Sequence, residues 1–332
     1  MSMSELSPPA AKPLLEVEGL AKYFATGSNW LMRTEPSLRA VDGVSFALAH
    51  GETLCLVGES GCGKSTVGKL ILQLIEPSAG VIRIDGVEMT AAHGEALRAY
   101  RKRVQMIFQD PFASLNPRLK AKTIVGEPLE NYGLFSPRER SERVADLLAK
   151  VGLRPEAGDK FPFEFSGGQR QRIGIARALA LSPDLIVADE PVSALDVSVQ
   201  AQVLNLLVDL REALGLSYLF ISHDLGVVEH IAHRVAVMYL GRIVEIGDKT
   251  TIFAAPRHPY TQALMAAAPI ADPRAKRERI VLEGDVPSPL DPPKGCAFHP
   301  RCPFAFDRCR VESPVLTRRG AGHLAACHLE AA

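Results

Sequence analysis

The sequence lacks an excess of charge of either sign. Lysine plus arginine and aspartate plus glutamate each number 38, so the formal net charge is zero. This balance argues against a strongly basic protein that binds nucleic acid through phosphate contacts, and against a protein with a long acidic tail. Partners therefore have to be inferred from particular sites, because the overall charge selects none.

Long apolar runs are also absent. The longest ones, such as residues 218–221 and 235–240, are far shorter than the ~20 residues that span a bilayer, so the chain is not expected to cross a membrane alone. Residues 1–13 are polar and contain proline, without the apolar segment of a secretory signal, and we predict a flexible tail there. These features predict a cytosolic protein, whose six cysteines are not expected to form disulfides.

At 332 residues, the chain is longer than an average domain, and we expect two domains or one large domain with additions. Strand-like runs at 14–18, 41–49 and 81–85 predict a β-rich layer beside an α/β core. Next to the first run, Tyr23 and Phe24 precede a polar segment. Either aromatic ring could stack on a nucleotide base, and the alternative is that both are ordinary strand or core residues.

One stretch matches the phosphate-loop pattern G-x-x-x-x-G-K-[ST] at every position, between an apolar run and a helical pattern. Gly58 and Gly63 allow the backbone to fold around a phosphate, Lys64 supplies positive charge, and Ser65 can bind magnesium. The alternative is a glycine-rich turn without a ligand. The predicted binding residues are Gly58, Glu59, Ser60, Gly61, Cys62, Gly63, Lys64, Ser65 and Thr66.

Polar side chains follow three further apolar runs. Gln109 follows one run, Asp189 and Glu190 end the next, and His223 follows a third. Ligand groups in open α/β sheets collect at the carboxyl ends of strands. Asp189 would therefore bind magnesium opposite Ser65, and Glu190 would polarise an attacking water. The alternatives are a structural salt-bridge pair and a structural histidine.

A second helix start with anion-binding character lies at Ser166-Gly167-Gly168-Gln169. Ser166 is placed as an N-cap of a helix that includes residues 173–181, and the two glycines expose backbone amides. A plain cap is the alternative. Before this point, apolar residues at helical spacing over 117–160 predict an inserted helical subdomain.

Four cysteines near the C-terminus are spaced C-x5-C-x6-C-x17-C, after a proline-containing stretch at 272–295. So many thiols in one small module favour a metal or cluster that ties its loops together. The paired C-x2-C knuckles of common zinc modules are missing, so an iron-sulfur cluster is preferred to zinc. Four unligated cysteines remain the alternative. The four residues are Cys296, Cys302, Cys309 and Cys327.

Together, these motifs resemble the ATP-binding subunits of ABC transporters from about residue 14 to residue 328. The resemblance implies that 58–65 are the Walker A loop and that 166–169 are the signature, although Phe165 stands where many members have leucine. Phe24, or Tyr23, would stack on adenine. The remaining implied roles are the Q-loop for Gln109, the Walker B aspartate for Asp189, the catalytic glutamate for Glu190, the D-loop for Asp196 and the switch histidine for His223.

The fold implied by the resemblance is an α/β P-loop ATPase with an antiparallel β subdomain. The nucleotide-binding domain would cover residues 14–270, with the helical subdomain at about 112–182, and residues 271–332 would form the connector and the Cys-rich module. The implied ligands are ATP, bound also by Gln109, Gln169 and Asp196, and Mg²⁺, bound by Ser65, Gln109 and Asp189.

Within this superfamily, residues 108–117, 258–264 and 287–290 resemble the dipeptide and oligopeptide importers, some of which hold a 4Fe-4S cluster in the cysteine tail. Importers of nickel or glutathione share much of this pattern. The implied partners are a second ATPase subunit, two transmembrane permeases and, indirectly, an extracytoplasmic solute-binding protein. The chain would lie at the cytoplasmic face of the inner membrane, with ATP held between the Walker A loop of one copy and Ser166 of the other.

Two other classes of protein compete with this interpretation. A soluble ABC-type ATPase acting on nucleic acid or ribosomes usually has two nucleotide-binding halves or a long coiled-coil insertion, and this chain has one Walker A motif and neutral charge. An iron-sulfur sensor regulated by ATP would predict DNA binding, and no part of the sequence resembles a DNA-reading helix module.

Overall fold

The computed structural model describes residues 12–25, 37–267 and 284–329. The predictions for most of the N-terminal tail, for the polar segment at 26–36 and for the connector up to residue 283 lie outside the described residues. The chain divides into two compact units. The first unit comprises residues 1–91 and 221–332, and the second comprises residues 92–220.

The elements of the two units follow one another along the chain. The strands are β1 (Leu15–Ala25), β2 (Ser37–Leu48), β3 (Thr53–Val57), β4 (Ala79–Ile84), β5 (Val87–Glu88), β6 (Val104–Ile107), β7 (Leu185–Asp189), β8 (Ser217–Ser222), β9 (Arg234–Tyr239), β10 (Arg242–Asp248), β11 (Thr317–Gly320) and β12 (His323–Ala325). The helices are α1 (Lys64–Ile71), α2 (Gly94–Arg103), α3 (Ala121–Asn131), α4 (Pro137–Lys150), α5 (Gly167–Leu179), α6 (Val197–Leu214), α7 (Leu225–Ile231), α8 (Lys249–Ala254), α9 (Pro259–Ala267) and α10 (Asp307–Val311).

The first unit contains two groups of strands. The antiparallel order β2-β1-β4-β5 forms the predicted β-rich layer, and Tyr23 and Phe24 lie within β1. The second group has the order β11-β12-β10-β9-β3, in which β3 and β9 are parallel. Every residue of β3 is buried, as expected for a strand covered on both faces. Its end therefore provides a rigid start for the loop that follows.

The C-terminal residues join this second group of strands. Strand β12 pairs antiparallel with β10, where Ala325 lies opposite Glu245 and Leu324 opposite Ile246. This arrangement differs from the separate module that the sequence predicts. The physical reason is that the three residues of β12 (His323, Leu324 and Ala325) become buried when they pair with β10. This pairing also covers the hydrogen-bonding edge of β10, which would otherwise be exposed at the end of the sheet.

The second unit combines parallel strands with helices. Strand β7 lies between β8 and β6, and β6 and β7 are parallel. Helices α3, α4 and α5 pack on one another and confirm the helical character of 117–160. Helix α4 begins with a capping box, in which Ser136 and Glu139 each bond the other's backbone N–H, and Pro137 occupies its first turn.

One element boundary differs from the sequence-based expectation. The stretch 101–109 reads from the sequence as a strand that ends at Gln109, but residues 101–103 end α2, where three basic side chains favour a helix C-terminus. Helix α5 covers Gly167–Leu179 and begins directly after its N-cap Ser166, as the sequence predicts. Among the residues described, none of the helices combines the length and apolar character needed to cross a bilayer.

Candidate functional site

The phosphate loop joins β3 to α1 in the first unit, and two of its glycines lie so close to other backbone atoms that a side chain does not fit. Gly58 has a φ of +152°, and a Cβ there would lie 2.2 Å from the backbone oxygen of Met238. Gly63 has a φ of +102°, and its Cβ would lie 2.0 Å from the backbone oxygen of Ala40. These close approaches explain why the loop needs glycine at both positions.

The side chain of Lys64 forms hydrogen bonds with the backbone of its own loop. The Lys64 ammonium group donates to the carbonyl oxygens of Gly58 at 2.7 Å and Glu59 at 2.9 Å, and the side chain is 5% exposed. Lys64 is also the first residue of α1, so its charge lies beside the amide-rich end of that helix. The Lys64 charge and the N-terminal amides of α1 therefore lie together within this single loop.

Burial raises the pKa values of the two cysteines near this loop. Cys55 lies in β3 and is fully buried, which confirms that it is a core residue. Cys62 is 5% exposed, with its sulfur 3.7 Å from the Lys64 nitrogen; burial raises its pKa although Lys64 opposes the shift. Both thiols are therefore kept protonated and act as small apolar groups.

In the second unit, two of the predicted polar residues meet. The Gln109 side-chain amide donates to the Glu190 carboxylate at 2.9 Å. Asp189 ends β7 and is 5% exposed, while Glu190 follows with a φ of +44°, in the left-handed region that non-glycine residues rarely adopt. The parallel strands β6 and β7 thus bring Gln109 and Glu190 to one edge. His223, in the first unit, follows β8 and is exposed.

The signature residues form a tightly packed helix start in the second unit. The Ser166 hydroxyl accepts from the Gln169 N–H, and the Gln169 side chain accepts from the Ser166 N–H at 3.0 Å. A Cβ on Gly168 would lie 2.4 Å from a methyl carbon of Val199 in α6. The glycine at this position is therefore required by the close packing of α5 on α6. Asp196 is the N-cap residue of α6, the helix that carries Val199.

The two candidate base-stacking aromatics have different surroundings. The Tyr23 hydroxyl donates to Asp42 at 2.7 Å, and Asp42 is also paired with Arg242 at 2.7 Å. Phe24 is half-buried and has no hydroxyl to fix its ring, with the Lys22 ammonium 5.2 Å from the ring centre. The hydrogen bond makes Tyr23 part of a polar network, which favours Phe24 for stacking.

The four C-terminal cysteines line one cavity. Burial raises the pKa of Cys296 to about 11, and it also raises the pKa values of Cys302 and Cys327. No group of three His, Cys, Asp or Glu side chains in the described part of the chain has the geometry to hold a metal ion. The chemistry of the donors fits a thiophilic group, but the metal centre that the sequence predicts is not formed by these positions.

Two contacts to the phosphate loop come from residues that sequence reasoning missed. The Glu59 N–H donates to the Tyr260 hydroxyl at 2.8 Å, and the Glu59 carboxylate accepts two hydrogen bonds from Arg301. No spacing rule connects positions 201 and 242 residues apart. The available signals were only that Tyr260 lies in the stretch 258–264 and that Arg301 lies between two cysteines.

Comparison with known families places these motifs. The ABC transporter family profile matches residues 41–193, and the profile of the oligopeptide/dipeptide transporter C-terminal region matches residues 244–309. A probable peptide ABC transporter ATP-binding protein, y4tS of Sinorhizobium fredii, is 57% identical over 318 residues, covering 96% of this chain and 90% of that protein. This chain belongs to the ATP-binding proteins of the oligopeptide and dipeptide ABC transporter family. It is therefore an ATPase subunit.

Other relatives agree with this assignment. The oligopeptide transport ATP-binding protein AppF of Bacillus subtilis is 53% identical over 319 residues, covering 95% of this chain and 97% of that protein. A dimeric structure of the ATP-binding cassette MJ0796 bound to ADP and Pi covers 71% of this chain and 98% of its own, with 28% identity and a TM-score of 0.63. The cbiO1 structure from Clostridium perfringens has 26% identity and a TM-score of 0.64, covering 74% of this chain and 92% of its own.

Proposed function

We propose that this ABC ATPase energises the uptake of dipeptides or oligopeptides through partner membrane subunits. The observation that carries the proposal is the 57% identity with a probable peptide transporter subunit over 96% of the chain. The match of residues 244–309 to the oligopeptide/dipeptide C-terminal profile supports the same substrate class. Importers of nickel or glutathione are the alternative within the family, and a soluble mechanical ATPase is less well supported.

The residues proposed to bind ATP are those of the phosphate loop, with Phe24 stacking on the adenine and Tyr23 as the alternative. Lys64 would neutralise phosphate oxygens, and its position inside the loop supports this role. Ser65, Gln109 and Asp189 would hold Mg²⁺, which would neutralise charge on the β- and γ-phosphates. Glu190 would orient and deprotonate the attacking water, and His223 would assist at the γ-phosphate.

A second copy, of this chain or of a similar subunit, would complete the site. The Ser166-Gly167-Gly168 helix start, of which Ser166 is exposed, would contact the γ-phosphate of ATP bound to the phosphate loop of the other copy, with Gln169 and Asp196 close by. The MJ0796 cassette forms a dimer in its structure with ADP and Pi, and that supports this arrangement. Closure of the dimer would be transmitted through the Gln109 region to the permeases at the cytoplasmic face of the membrane.

The substrate class can be tested with the assembled transporter. The chain would be co-expressed and purified with its membrane subunits, reconstituted in lipid nanodiscs, and assayed for ATPase activity with solute-binding protein loaded with dipeptides, oligopeptides, nickel or glutathione. We expect activity to rise only in a peptide arm. A rise with nickel or glutathione alone would assign a different solute. Failure of the chain to co-purify with any membrane subunit would contradict the transporter assignment.

We also propose that Cys296, Cys302, Cys309 and Cys327 hold a 4Fe-4S cluster, with zinc as the alternative. The lining of a single cavity by all four thiols supports the proposal. When bound, the cluster would tie together the loops that carry the cysteines.

Protein purified without oxygen tests the cluster proposal. It should be brown and contain about four irons per chain, as expected for a cluster held by four cysteines. Cys309→Ser should lose most of the iron, whereas Cys55→Ala, in the core of β3, should retain it. A colourless protein that contains one zinc per chain would overturn the proposal.

A further inference from the structure

Two residues from the C-terminal part of the first unit form hydrogen bonds with the phosphate loop. Glu59, the second residue of the loop, forms hydrogen bonds through its N–H, its carbonyl oxygen and its carboxylate. Its N–H donates to the Tyr260 hydroxyl at 2.8 Å, its carbonyl oxygen accepts from Lys64 at 2.9 Å, and its carboxylate accepts from both terminal nitrogens of Arg301, at 2.9 and 3.1 Å. Two of these three restraints come from residues far along the chain.

The Arg301–Glu59 pair is partly removed from water. The Arg301 side chain is 8% exposed and that of Glu59 is 27% exposed. Paired, two-bond contacts between guanidinium and carboxylate are among the stronger charge-assisted hydrogen bonds, and partial burial strengthens them. By contrast, Arg308 and Glu312 form a similar pair along α10 with 57% and 52% exposure, and such a surface pair contributes little.

A cluster of aromatic rings supports both residues that reach the loop. The ring centre of Tyr239 lies 4.7 Å from that of Tyr260 and 5.3 Å from that of Phe298. The Arg301 guanidinium lies 6.0 Å from the centre of the Tyr239 ring. The three rings are close-packed and mostly buried, so the hydroxyl of Tyr260 and the guanidinium of Arg301 are presented from a rigid surface.

Arg301 is itself fixed by the turn that carries it. This turn lies between Cys296 and Cys302, and the N–H groups of His299 and Arg301 donate to the carbonyl oxygens of Cys296 and Phe298, each at 3.0 Å. The conformation of the turn therefore decides whether Arg301 reaches Glu59.

We propose that Arg301, together with Tyr260, is a positioning residue for the nucleotide. The two residues hold Glu59 so that the phosphate loop is already in its binding conformation before ATP arrives. Without them the loop samples other conformations. The measured affinity is then the intrinsic affinity multiplied by the fraction of molecules whose loop is in the binding conformation. The C-terminal residues thus set nucleotide affinity without touching the nucleotide. This inference rests on the proposed ATP site in the phosphate loop.

The test compares variants of the full chain by binding of a fluorescent ATP analogue with Mg²⁺ and by steady-state ATPase kinetics. Arg301→Gln removes the charge and one arm of the contact, and we expect Kd and KM to rise about tenfold, the cost of one charge-assisted contact. We expect kcat at saturating ATP to stay within about twofold of the parent value, because the bound loop is the same. Arg308→Gln, in the same region but remote from the loop, should match the parent in all three constants.

Tyr260→Phe keeps the test decisive if Arg301→Gln folds poorly, and a double-mutant cycle with Glu59→Gln extends the test where Arg301→Gln folds. Tyr260→Phe removes one hydroxyl and keeps the ring packing, and it should raise Kd by about threefold with kcat unchanged. Glu59→Gln should raise Kd, and adding Arg301→Gln to it should raise Kd much less than in the parent, because the two residues act through one contact. A purely structural role would instead give a lower melting temperature and additive effects on Kd.

The outcome also separates this inference from the proposed ATP site. Lys64→Ala should abolish binding if the loop is that site. Loss of binding in Lys64→Ala, with parent-like Kd and KM in folded Arg301→Gln and Tyr260→Phe, would overturn the positioning role alone. Parent-like binding in Lys64→Ala would overturn the ATP site, and with it this inference.

Discussion

At the scale of single residues, the orientation of the Glu190 carboxylate depends on a contact with a residue from a different motif. Glu190 has a left-handed backbone conformation and accepts a hydrogen bond from Gln109, so its carboxylate is held rather than free to rotate. A carboxylate held in this way would be oriented before the substrate arrives, as the proposed role of Glu190 as general base requires. That proposed role can be tested separately from nucleotide binding.

We expect Glu190→Gln to bind MgATP with the parent affinity and to lose hydrolysis by at least about a hundredfold, because the amide cannot take a proton from water. The new amide oxygen still accepts the hydrogen bond from Gln109, so the geometry is retained. Phosphate release and nucleotide binding measure the two effects. Glu229→Gln, an exposed position in α7, serves as the control. Parent-like turnover in Glu190→Gln would remove Glu190 from its proposed role.

At the scale of elements, the start of α5 is limited by its packing on α6. Gly168 faces Val199 so closely that a Cβ does not fit, and Val199 is β-branched and cannot easily rotate away. Gly174 lies in the same helix, and a Cβ there would meet nothing within 4 Å. Steric contact with α6 therefore requires glycine at position 168, whereas the space around position 174 would accept a larger residue.

We expect Gly168→Ala to lower the free energy of unfolding by about 1–3 kcal/mol through overpacking. Gly174→Ala should instead raise it by about 0.5–1 kcal/mol, since alanine favours a helix interior where space is available. Urea unfolding followed by circular dichroism measures both. Val199→Ala added to Gly168→Ala should recover part of the loss. Equal stability of the two single variants would show that the helix contact does not constrain Gly168.

At the scale of the whole molecule, the C-terminal residues stabilise the fold of the first unit. His323 in β12 bonds the fully buried Glu245 of β10 at 2.7 Å, and the N–H groups of Arg257 and His258 also donate to Glu245. Burial alone would raise the pKa of Glu245, but these hydrogen bonds outweigh burial and lower it. Glu245 therefore stabilises the fold above its usual pKa and loses this effect as the pH falls.

The buried His258 makes the free energy of unfolding depend on pH in a range closer to neutrality than the range in which Glu245 titrates. Burial lowers its pKa from 6.5 to about 4, although Glu245 opposes the shift, and its Nδ1 accepts from the Tyr260 N–H. Between about pH 6.5 and pH 4 the unfolded chain binds a proton there that the folded chain does not. Unfolding therefore becomes easier as the pH falls, by up to about 3 kcal/mol.

We expect His258→Asn to flatten this part of the stability profile, because asparagine supplies an acceptor for the Tyr260 N–H and does not titrate. Thermal unfolding at half-unit steps from pH 7.5 to pH 4.5 measures the effect. A variant whose melting temperature falls with pH as steeply as that of the parent would contradict the assignment of the slope to His258.

Much of the architecture follows from local sequence. Apolar residues at helical spacing indicate a helix over 197–214, which α6 covers, and Gly241 between two apolar runs indicates the hairpin that β9 and β10 form. Both depend on nearby residues: apolar spacing along one helix, and a glycine between two apolar runs. The strand predicted over 101–109 failed at its beginning, because basic residues at a helix end and apolar residues of the next strand form one continuous stretch.

The sequence by itself determined the phosphate loop, the signature helix and the carboxylates after β7, because each consists of adjacent residues whose backbone requirements are local. Only the tertiary structure decided that β12 joins β10 and that Arg301 and Tyr260 reach Glu59. Contacts between residues 78, 201 and 242 positions apart depend on how the strands are ordered and packed. No periodicity or spacing along the chain encodes that order.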